Sequence, residues 1–192
     1  MSFLTVQNLY KSFGGNRAVD DVSFALAKGE LLALIGPNGA GKSTCFNMLY
    51  GILAPDKGSV YLDDRELIGM KPRDIWRLGV GRTFQITAVY ASMSVVENVQ
   101  MALISNHRKT FSAFTRAARL YRDDAMALLD LIGMKDQAHR AANILAYGDL
   151  KRLELAVAMA HDPALLLMDE PTAGMAPGER RALMKLTADI VA

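Results

Sequence analysis

The sequence has little of what marks secreted, membrane-spanning or nucleic-acid-binding proteins. Its one cysteine, Cys45, excludes an intramolecular disulfide and fits a reducing compartment. We expect it to be a small buried side chain and not a nucleophile. No apolar run approaches the ~18 residues of a membrane span, and residues 1–11 do not predict a signal peptide. The formal net charge of +2 is too small to indicate nucleic acid as a partner. What is present is an ordinary globular composition, 51% hydrophobic and 22% charged, with enough apolar residues for a sizeable core.

A glycine-rich segment at residues 36–44 carries the strongest chemical signal. It follows the apolar run 31–35, which predicts a buried central strand, and it has the pattern G-x-x-x-x-G-K-S of a phosphate-binding loop (P-loop). Glycines bring backbone N–H groups against phosphate oxygens, the lysine adds a cation at the β- and γ-phosphates, and the serine hydroxyl serves Mg²⁺. A helix over residues 43–50 would point its positive end at the anion. The alternative is a glycine-rich structural turn. The predicted binding residues are Gly36, Pro37, Asn38, Gly39, Ala40, Gly41, Lys42, Ser43 and Thr44.

A second candidate site lies far down the chain. Residues 165–168 are continuously apolar, which predicts a strand buried on both faces, and they are followed by Asp169 and Glu170. Adjacent carboxylates at the end of a buried strand are costly unless they face a cation or a substrate. We therefore expect Asp169 to serve Mg²⁺ and Glu170 to act as a base on water. The alternative is a pair of exposed acids that begin a loop.

The remaining pattern predicts an α/β protein with a helical insertion. Alternating or continuous apolar residues predict further strands at residues 4–6, 22–26, 60–62 and 79–84. Caps and apolar stripes predict helices at residues 72–78, 94–105, 121–132 and 149–160. We predict a P-loop NTPase core with a parallel sheet and an N-terminal antiparallel β subdomain, formed by residues 1–85 and 161–192. Residues 86–160 are expected to form an inserted helical subdomain.

These segments resemble, over essentially residues 4–192, the ATP-binding subunit of an ATP-binding cassette (ABC) transporter. The P-loop is similar to the Walker A loop of that family, and residues 165–170 are similar to its Walker B strand with the catalytic glutamate. Gln85 matches the Q-loop glutamine, and Phe13 lies near the place of the aromatic that stacks on adenine. Residues 145–149, Leu-Ala-Tyr-Gly-Asp, stand where the family has its Leu-Ser-Gly-Gly-Gln signature, and residues 173–177 match its D-loop.

Three segments resemble one subgroup of that family. Residues 79–85, 145–148 and 171–175 are similar to cassettes that serve importers of branched-chain amino acids. Importers of urea or short amides share much of the same sequence and are the alternative. The resemblance implies an ATP-binding and ATP-hydrolysing subunit, peripheral at the cytoplasmic face of the bacterial inner membrane. Its partners would be membrane permease subunits and, indirectly, a periplasmic solute-binding protein, with no nucleic acid.

The resemblance also implies a mechanism. Two ATP-binding subunits close head to tail around two ATP molecules, each held by the P-loop of one subunit and the signature of the other. Ala146 and Gly148 would therefore face the ATP of the partner, at the positive end of a helix beginning near residue 149. Lys42, Gln85 and Glu170 would be the catalytic residues. The Mg²⁺ ligands would be Ser43, Gln85 and Asp169.

Two departures from the family pattern bear on activity. Ala146 replaces the signature serine and Asp149 replaces its glutamine; an acid suits a helix N-terminus but adds negative charge near a triphosphate. We therefore expect weaker ATP-driven closure than with glutamine. The sequence also ends before the place of the switch histidine of the family. This predicts a truncated cassette that binds ATP without efficient hydrolysis, as an alternative to the full activity.

Other functional classes and other charged residues fit less well. A cassette that works on nucleic acid or ribosomes typically has two cassettes in one chain or coiled-coil insertions, and a P-loop kinase would leave residues 145–149 unexplained. The basic residues in the helical insertion predict a solvated face, with anionic lipid or a permease loop as the alternative. Lys151 and Arg152 are likewise predicted to face solvent. That basic group consists of Arg108, Lys109, Arg116, Arg119 and Arg122.

Overall fold

The structure is a computed structural model that describes residues 2–83, 89–106 and 121–191. The chain divides into two compact units, one formed by Met1–Val80 with Thr187–Ala192 and the other by Gly81–Leu186. The P-loop belongs to the first unit, and the acid pair and signature belong to the second. The predicted boundaries, with residues 86–160 apart from the rest, stay a prediction; the compact units group residues 161–186 with the helical segment. Gln85 and four of the five basic residues named above lie outside the described residues.

The first unit contains a four-stranded antiparallel sheet with the strand order β2-β1-β3-β4. Its strands are β1 (Leu4–Phe13), β2 (Asn16–Leu26), β3 (Lys57–Leu62) and β4 (Arg65–Glu66). Gly14 and Gly15 join β1 to β2 with φ angles of 53° and 89°, the left-handed pair that a tight hairpin turn requires. Leu4 pairs with Leu62, and Val6 pairs with Val60, on one buried face. The predicted N-terminal antiparallel sheet is therefore confirmed.

The first unit also contains the helices α1 (Lys42–Leu49) and α2 (Pro72–Arg77). Helix α1 follows the P-loop as predicted. It ends before Gly51, whose φ of 72° and N–H bond to the Met48 carbonyl at 3.2 Å close the last turn. Helix α2 has Pro72 in its first turn, where the missing N–H of proline costs nothing.

The predicted central strand at residues 31–35 is wrong. The segment has no strand hydrogen bonding among the described residues, and it is largely exposed: Leu31 is 52% and Ile35 is 92% accessible. An apolar run predicts burial on both faces, but a strand exists only through hydrogen bonds to a neighbouring strand. Because no described strand pairs with these residues, the P-loop follows an exposed segment that has no regular secondary structure.

The second unit combines a short sheet with packed helices. Strands β5 (Val80–Thr83) and β6 (Leu165–Met168) form a two-stranded parallel sheet. Helices α3 (Val95–Asn106), α4 (Arg122–Leu131) and α5 (Tyr147–Met159) lie in this unit, with 3₁₀ turns at Lys135–Gln137 and Ala142–Ile144, and α6 (Pro177–Val191) begins in it. Helices α3, α4 and α5 pack against one another through side chains that include Val99, Leu129 and Leu153, which are fully buried.

Helix α3 begins with the predicted capping box. The backbone N–H and hydroxyl of Ser94 donate to Glu97 Oε2 at 2.8 and 2.7 Å, and the Glu97 N–H donates to Ser94 Oγ at 3.4 Å. The Ser94 hydroxyl and N–H lower the pKa of the Glu97 carboxyl. In the part of the chain that the structure describes, no helix is long and apolar enough to cross a membrane.

Candidate functional site

The backbone of the P-loop is fixed by a glycine that packs on a neighbouring strand. Gly41 is the N-cap of α1 and has a φ of 80°, a left-handed conformation that side chains disfavour. A Cβ at this position would also run into the Ala18 carbonyl oxygen of β2. The loop therefore approaches β2 so closely that only glycine fits at the N-cap of α1.

The Lys42 ammonium lies folded over its own loop. Its Nζ donates to the Gly36 carbonyl at 2.8 Å and to the Pro37 carbonyl at 2.9 Å. Neutral carbonyl oxygens hold an ammonium less strongly than anionic oxygens do, so a phosphate could replace them as the acceptor. A positive charge is thus already placed inside the loop that is predicted to hold the anion.

The other P-loop groups fit a nucleotide triphosphate. Residues 37–40 are exposed, and Ser43 and Thr44 lie half-buried in the first turn of α1. No side chain of the described residues caps this helix end. An uncapped N-terminus with an adjacent lysine is the donor set that phosphate oxygens require. All nine predicted residues are therefore gathered in one loop and the helix turn that follows it.

A dedicated metal cage is not found in residues 2–83, 89–106 and 121–191. These residues contain no group of three or more His, Cys, Asp or Glu side chains that could hold a metal ion. Mg²⁺ is usually held in NTPases by substrate phosphates together with one or two protein oxygens, so this donor chemistry fits. The Ser43 hydroxyl and the Asp169 carboxylate each offer such an oxygen. Gln85, the third predicted ligand, lies outside the described residues.

Asp169 and Glu170 have different environments although they are adjacent. Asp169 is 6% exposed, directly after β6, and its Oδ2 lies 3.7 Å from a guanidinium nitrogen of Arg82 on the paired strand β5. Glu170 is exposed and has a φ of 48°, which is uncommon for a residue with a side chain. Asp169 thus faces the guanidinium of Arg82, and its expected role at Mg²⁺ stays a prediction. Glu170 instead points a carboxylate to solvent, where water is available.

Sequence reasoning did not identify Arg82 as the partner of Asp169. Both side chains are more than nine-tenths buried. The signal that could have found the pair is their position: adjacent parallel strands end at the same sheet edge, and a buried acid there requires a positive neighbour. The sequence pattern instead indicates Arg82 only as one of residues 79–85, the segment that resembles the importer subgroup.

The signature segment begins α5 earlier than predicted. The helix starts at Tyr147, with Ala146 as its N-cap, and no side chain among the described residues caps it. Gly148 is buried as the second residue of the helix. The carboxylate of Asp149 accepts a hydrogen bond from Gln137 Nε2 at 3.0 Å. This residue, which replaces the glutamine of the family signature, is therefore held by a 3₁₀ turn of the same unit.

The prediction that Lys151 faces solvent is wrong. Its side chain is 8% exposed, and its Nζ lies 2.9 Å from Glu154 Oε2, one turn along α5. The same ammonium lies 5.5 Å from the ring centre of Tyr147. A buried ion pair with a cation–π contact was missed because the helical spacing of charged residues alone does not reveal which face packs inward. Arg152 is half-buried.

Two smaller predictions concern Phe13 and Cys45. Phe13 ends β1 at the hairpin and is 51% exposed, with Lys11 Nζ 5.6 Å from its ring centre. An exposed ring of this kind can stack on a flat ligand, and its proposed contact with adenine stays a prediction.

Cys45 is buried in α1, and burial raises the pKa of its thiol to about 11. The expectation of a buried, unreactive cysteine is therefore met.

A P-loop that opens a helix, an acid pair after a buried strand and a helical segment between them in the sequence define a cassette-type ATPase. The chain belongs to the ABC transporter family, because the model of that family matches residues 19–173. It is therefore an ATPase of the transport class. The predicted family and α/β cassette fold are confirmed.

Relatives and solved structures agree on this assignment. The chain is 43% identical over 195 residues to the high-affinity branched-chain amino acid transport ATP-binding protein LivG of Salmonella typhimurium, covering 97% of this chain and 76% of the relative. It is 37% identical over 197 residues to BraF of Pseudomonas aeruginosa, which has a corresponding name, with the same coverage. The ADP conformation of MJ1267, an ATP-binding cassette of an ABC transporter, matches with a TM-score of 0.86 and 30% identity over 99% of this chain and 77% of that chain.

Proposed function

We propose that this chain is the ATP-binding and ATP-hydrolysing subunit that powers an importer of branched-chain amino acids. The observation that carries this proposal is the 43% identity to a branched-chain amino acid cassette over 97% of the chain. The P-loop geometry supports the ATP-binding part, since a cation and an uncapped helix N-terminus lie within one loop.

The P-loop would bind the phosphates. Backbone N–H groups of residues 36–44 would surround the β- and γ-phosphates, and the Lys42 ammonium would exchange its two carbonyl acceptors for phosphate oxygens. The Ser43 hydroxyl would serve Mg²⁺. Phe13 would stack on adenine as an exposed aromatic side chain at the hairpin.

The acid pair and Gln85 would supply the hydrolytic chemistry. The Asp169 carboxylate would be a Mg²⁺ ligand, together with Ser43 and Gln85; when bound with nucleotide, Mg²⁺ neutralises charge that develops on the phosphate oxygens. Glu170 would accept a proton from the attacking water. Its exposed carboxylate supports this role, because a base must reach solvent before it can orient a water molecule.

The signature helix would complete the site of a partner subunit. Ala146 and Gly148 lie at the N-cap and in the first turn of α5, whose positive end favours an anion. We infer a head-to-tail dimer of ATP-binding subunits in which this end faces the ATP of the partner. The dimer would act on membrane permease subunits, at which this chain is peripheral, and a periplasmic binding protein would deliver the solute.

The proposal is tested by transport in cells that lack their own branched-chain cassette. Expressing this chain together with the permease and binding-protein genes from the same genome should restore uptake of labelled leucine. The variant Lys42→Ala should abolish that uptake, and Lys57→Ala, an exposed lysine of β3, is the matched control that should not. Restored uptake of labelled urea or acetamide without leucine would contradict the substrate assignment and favour the alternative importer class.

A further inference from the structure

A carboxylate from helix α6 lies against the first turn of the signature helix. A Cβ placed on Gly148 would lie 2.9 Å from Glu179 Oε1 and 3.1 Å from its Cδ, closer than side-chain atoms normally approach. Gly148 is the second residue of α5, so this carboxylate lies against the first turn of that helix, whose N–H groups have no acceptor within their own helix. Glycine at this position leaves the space that Glu179 occupies.

Glu179 is held in place by its own helix. It is the third residue of α6, and its Oε2 accepts the backbone N–H of Ala176, the residue that precedes the helix, at 3.2 Å. This is the backward half of a capping box. One oxygen of this carboxylate therefore caps α6, and the other lies against Gly148 in the first turn of α5.

Other charged groups near this end of α5 are already engaged. The Asp149 carboxylate accepts a hydrogen bond from Gln137, and the Lys151 ammonium is paired with Glu154. Ala146 has no side chain that can cap the helix. The carboxylate of Glu179 is thus the anion that the structure places against an otherwise uncapped, electropositive helix end.

We propose that Glu179 is an internal competitor for the phosphate of the partner's ATP at the N-terminus of α5. This inference rests on the proposed function, in which that helix end faces the ATP of a partner subunit. In the isolated subunit, Glu179 places a negative charge against the positive end of α5. ATP-driven closure must then displace this carboxylate or tolerate its repulsion, so the contact restrains dimerisation until nucleotide is abundant.

The experiment measures the ATP concentration that half-converts the protein to dimer. The parent is the full chain carrying Glu170→Gln, which is expected to retain bound ATP, and dimerisation is followed by light scattering in Mg-ATP. Adding Glu179→Gln keeps an oxygen acceptor for the Ala176 N–H but removes the charge. We expect the half-conversion concentration of ATP to fall about two- to five-fold, the size of a single charge at an exposed helix end.

Two control variants separate the charge at this place from other effects. Glu97→Gln removes the same charge from the third residue of α3, where Glu97 caps its helix through Ser94 at 2.8 Å, and it should leave the ATP requirement unchanged. Glu179→Asp keeps the charge and should remain close to the parent. Circular dichroism melts of each variant establish that the helices are intact.

Each outcome decides the inference. A lower ATP requirement in Glu179→Gln alone supports it. An unchanged or higher requirement, or an equal decrease in Glu97→Gln or Glu179→Asp, overturns it while leaving the proposed function in place. A parent that binds ATP but forms no ATP-dependent dimer overturns the head-to-tail part of the proposed function, and the inference with it.

Discussion

The P-loop and the acid and signature region prepare their charges in opposite ways. In the P-loop, the Lys42 cation rests on two carbonyls of its own loop, six and five residues away in the sequence. In the second unit, Asp169 faces Arg82 and Gly148 faces Glu179, across long stretches of sequence. The first arrangement is local, and the second is tertiary. The P-loop motif is therefore sufficient to find the functional groups of the first region. In the second region, the motifs identify Asp169 and Gly148 but not the residues that face them.

The largest expected effect tests whether Glu170, and not its neighbour Asp169, is the base of the hydrolytic reaction. Glu170→Gln should lower the steady-state rate of phosphate release about 10²- to 10⁴-fold, because the water loses its base, while ATP binding is retained. Phosphate release and ATP titration on the purified chain measure the two effects. Glu66→Gln, an exposed acid of β4, is the control. Parental turnover in Glu170→Gln would mean that another residue is the base.

The next effect tests whether the tertiary partner of Asp169 matters for folding. Arg82→Gln removes a cation beside a carboxylate that is 6% exposed, and it should lower the free energy of unfolding by about 3 kcal/mol. The control Arg77→Gln breaks an exposed pair with Asp74 and should cost under about 1 kcal/mol. Urea unfolding measures both variants. In an Asp169→Asn background the cost of Arg82→Gln should largely disappear; an undiminished cost would show that the two residues do not act as a pair.

A smaller effect tests the local arrangement of the P-loop. Lys42→Ala should weaken ATP binding by roughly 10- to 100-fold, the value of one charge-assisted contact, with little change in stability because its present acceptors are carbonyls of an exposed loop. A fluorescent ATP analogue measures the affinity, and a melt measures the stability. Unchanged affinity would remove Lys42 from the binding site.

The smallest effect concerns the capping box of α3, a local feature inside the second region. Ser94→Ala should lower stability by about 0.5–2 kcal/mol at neutral pH. The Ser94 donors lower the pKa of Glu97, so its contribution is complete above the ordinary pKa of about 4.3 and is lost as pH falls through the lowered value. The difference between parent and variant in urea unfolding should therefore shrink between neutral and strongly acidic pH. A constant difference would show that Glu97 does not take part.

Local interactions explain what the sequence predicted well. The strands predicted at residues 4–6 and 22–26 lie in the β1–β2 hairpin, whose turn needs two adjacent residues with positive φ, supplied by Gly14 and Gly15. The start of α3 is predicted by Ser94 and Glu97, two residues three positions apart that hydrogen-bond to each other directly. The P-loop was predicted for the same reason, because its glycines and Lys42 interact with backbone groups of the loop itself.

The failures arise where tertiary contacts decide. Residues 31–35 have the composition of a buried strand, yet pairing with a neighbour is what makes a strand. The start of α5 was predicted near Asp149 because an acid suits a helix N-terminus, but its carboxylate bonds to Gln137, and the true N-cap is Ala146. The burial of Lys151 depends on which face of α5 packs inward. The identity of a single charged residue does not indicate that face.

The exposed apolar segment before the P-loop has a consequence for handling the protein. Five consecutive residues, 31–35, carry no charge and no proline, are mostly exposed and pair with no described strand. Such a segment is a template for edge-to-edge β pairing and for steric-zipper aggregation. Concentrated stocks of the chain should therefore cloud slowly through contacts that have nothing to do with nucleotide, and a single lysine in place of Ala33 would act as a gatekeeper against them.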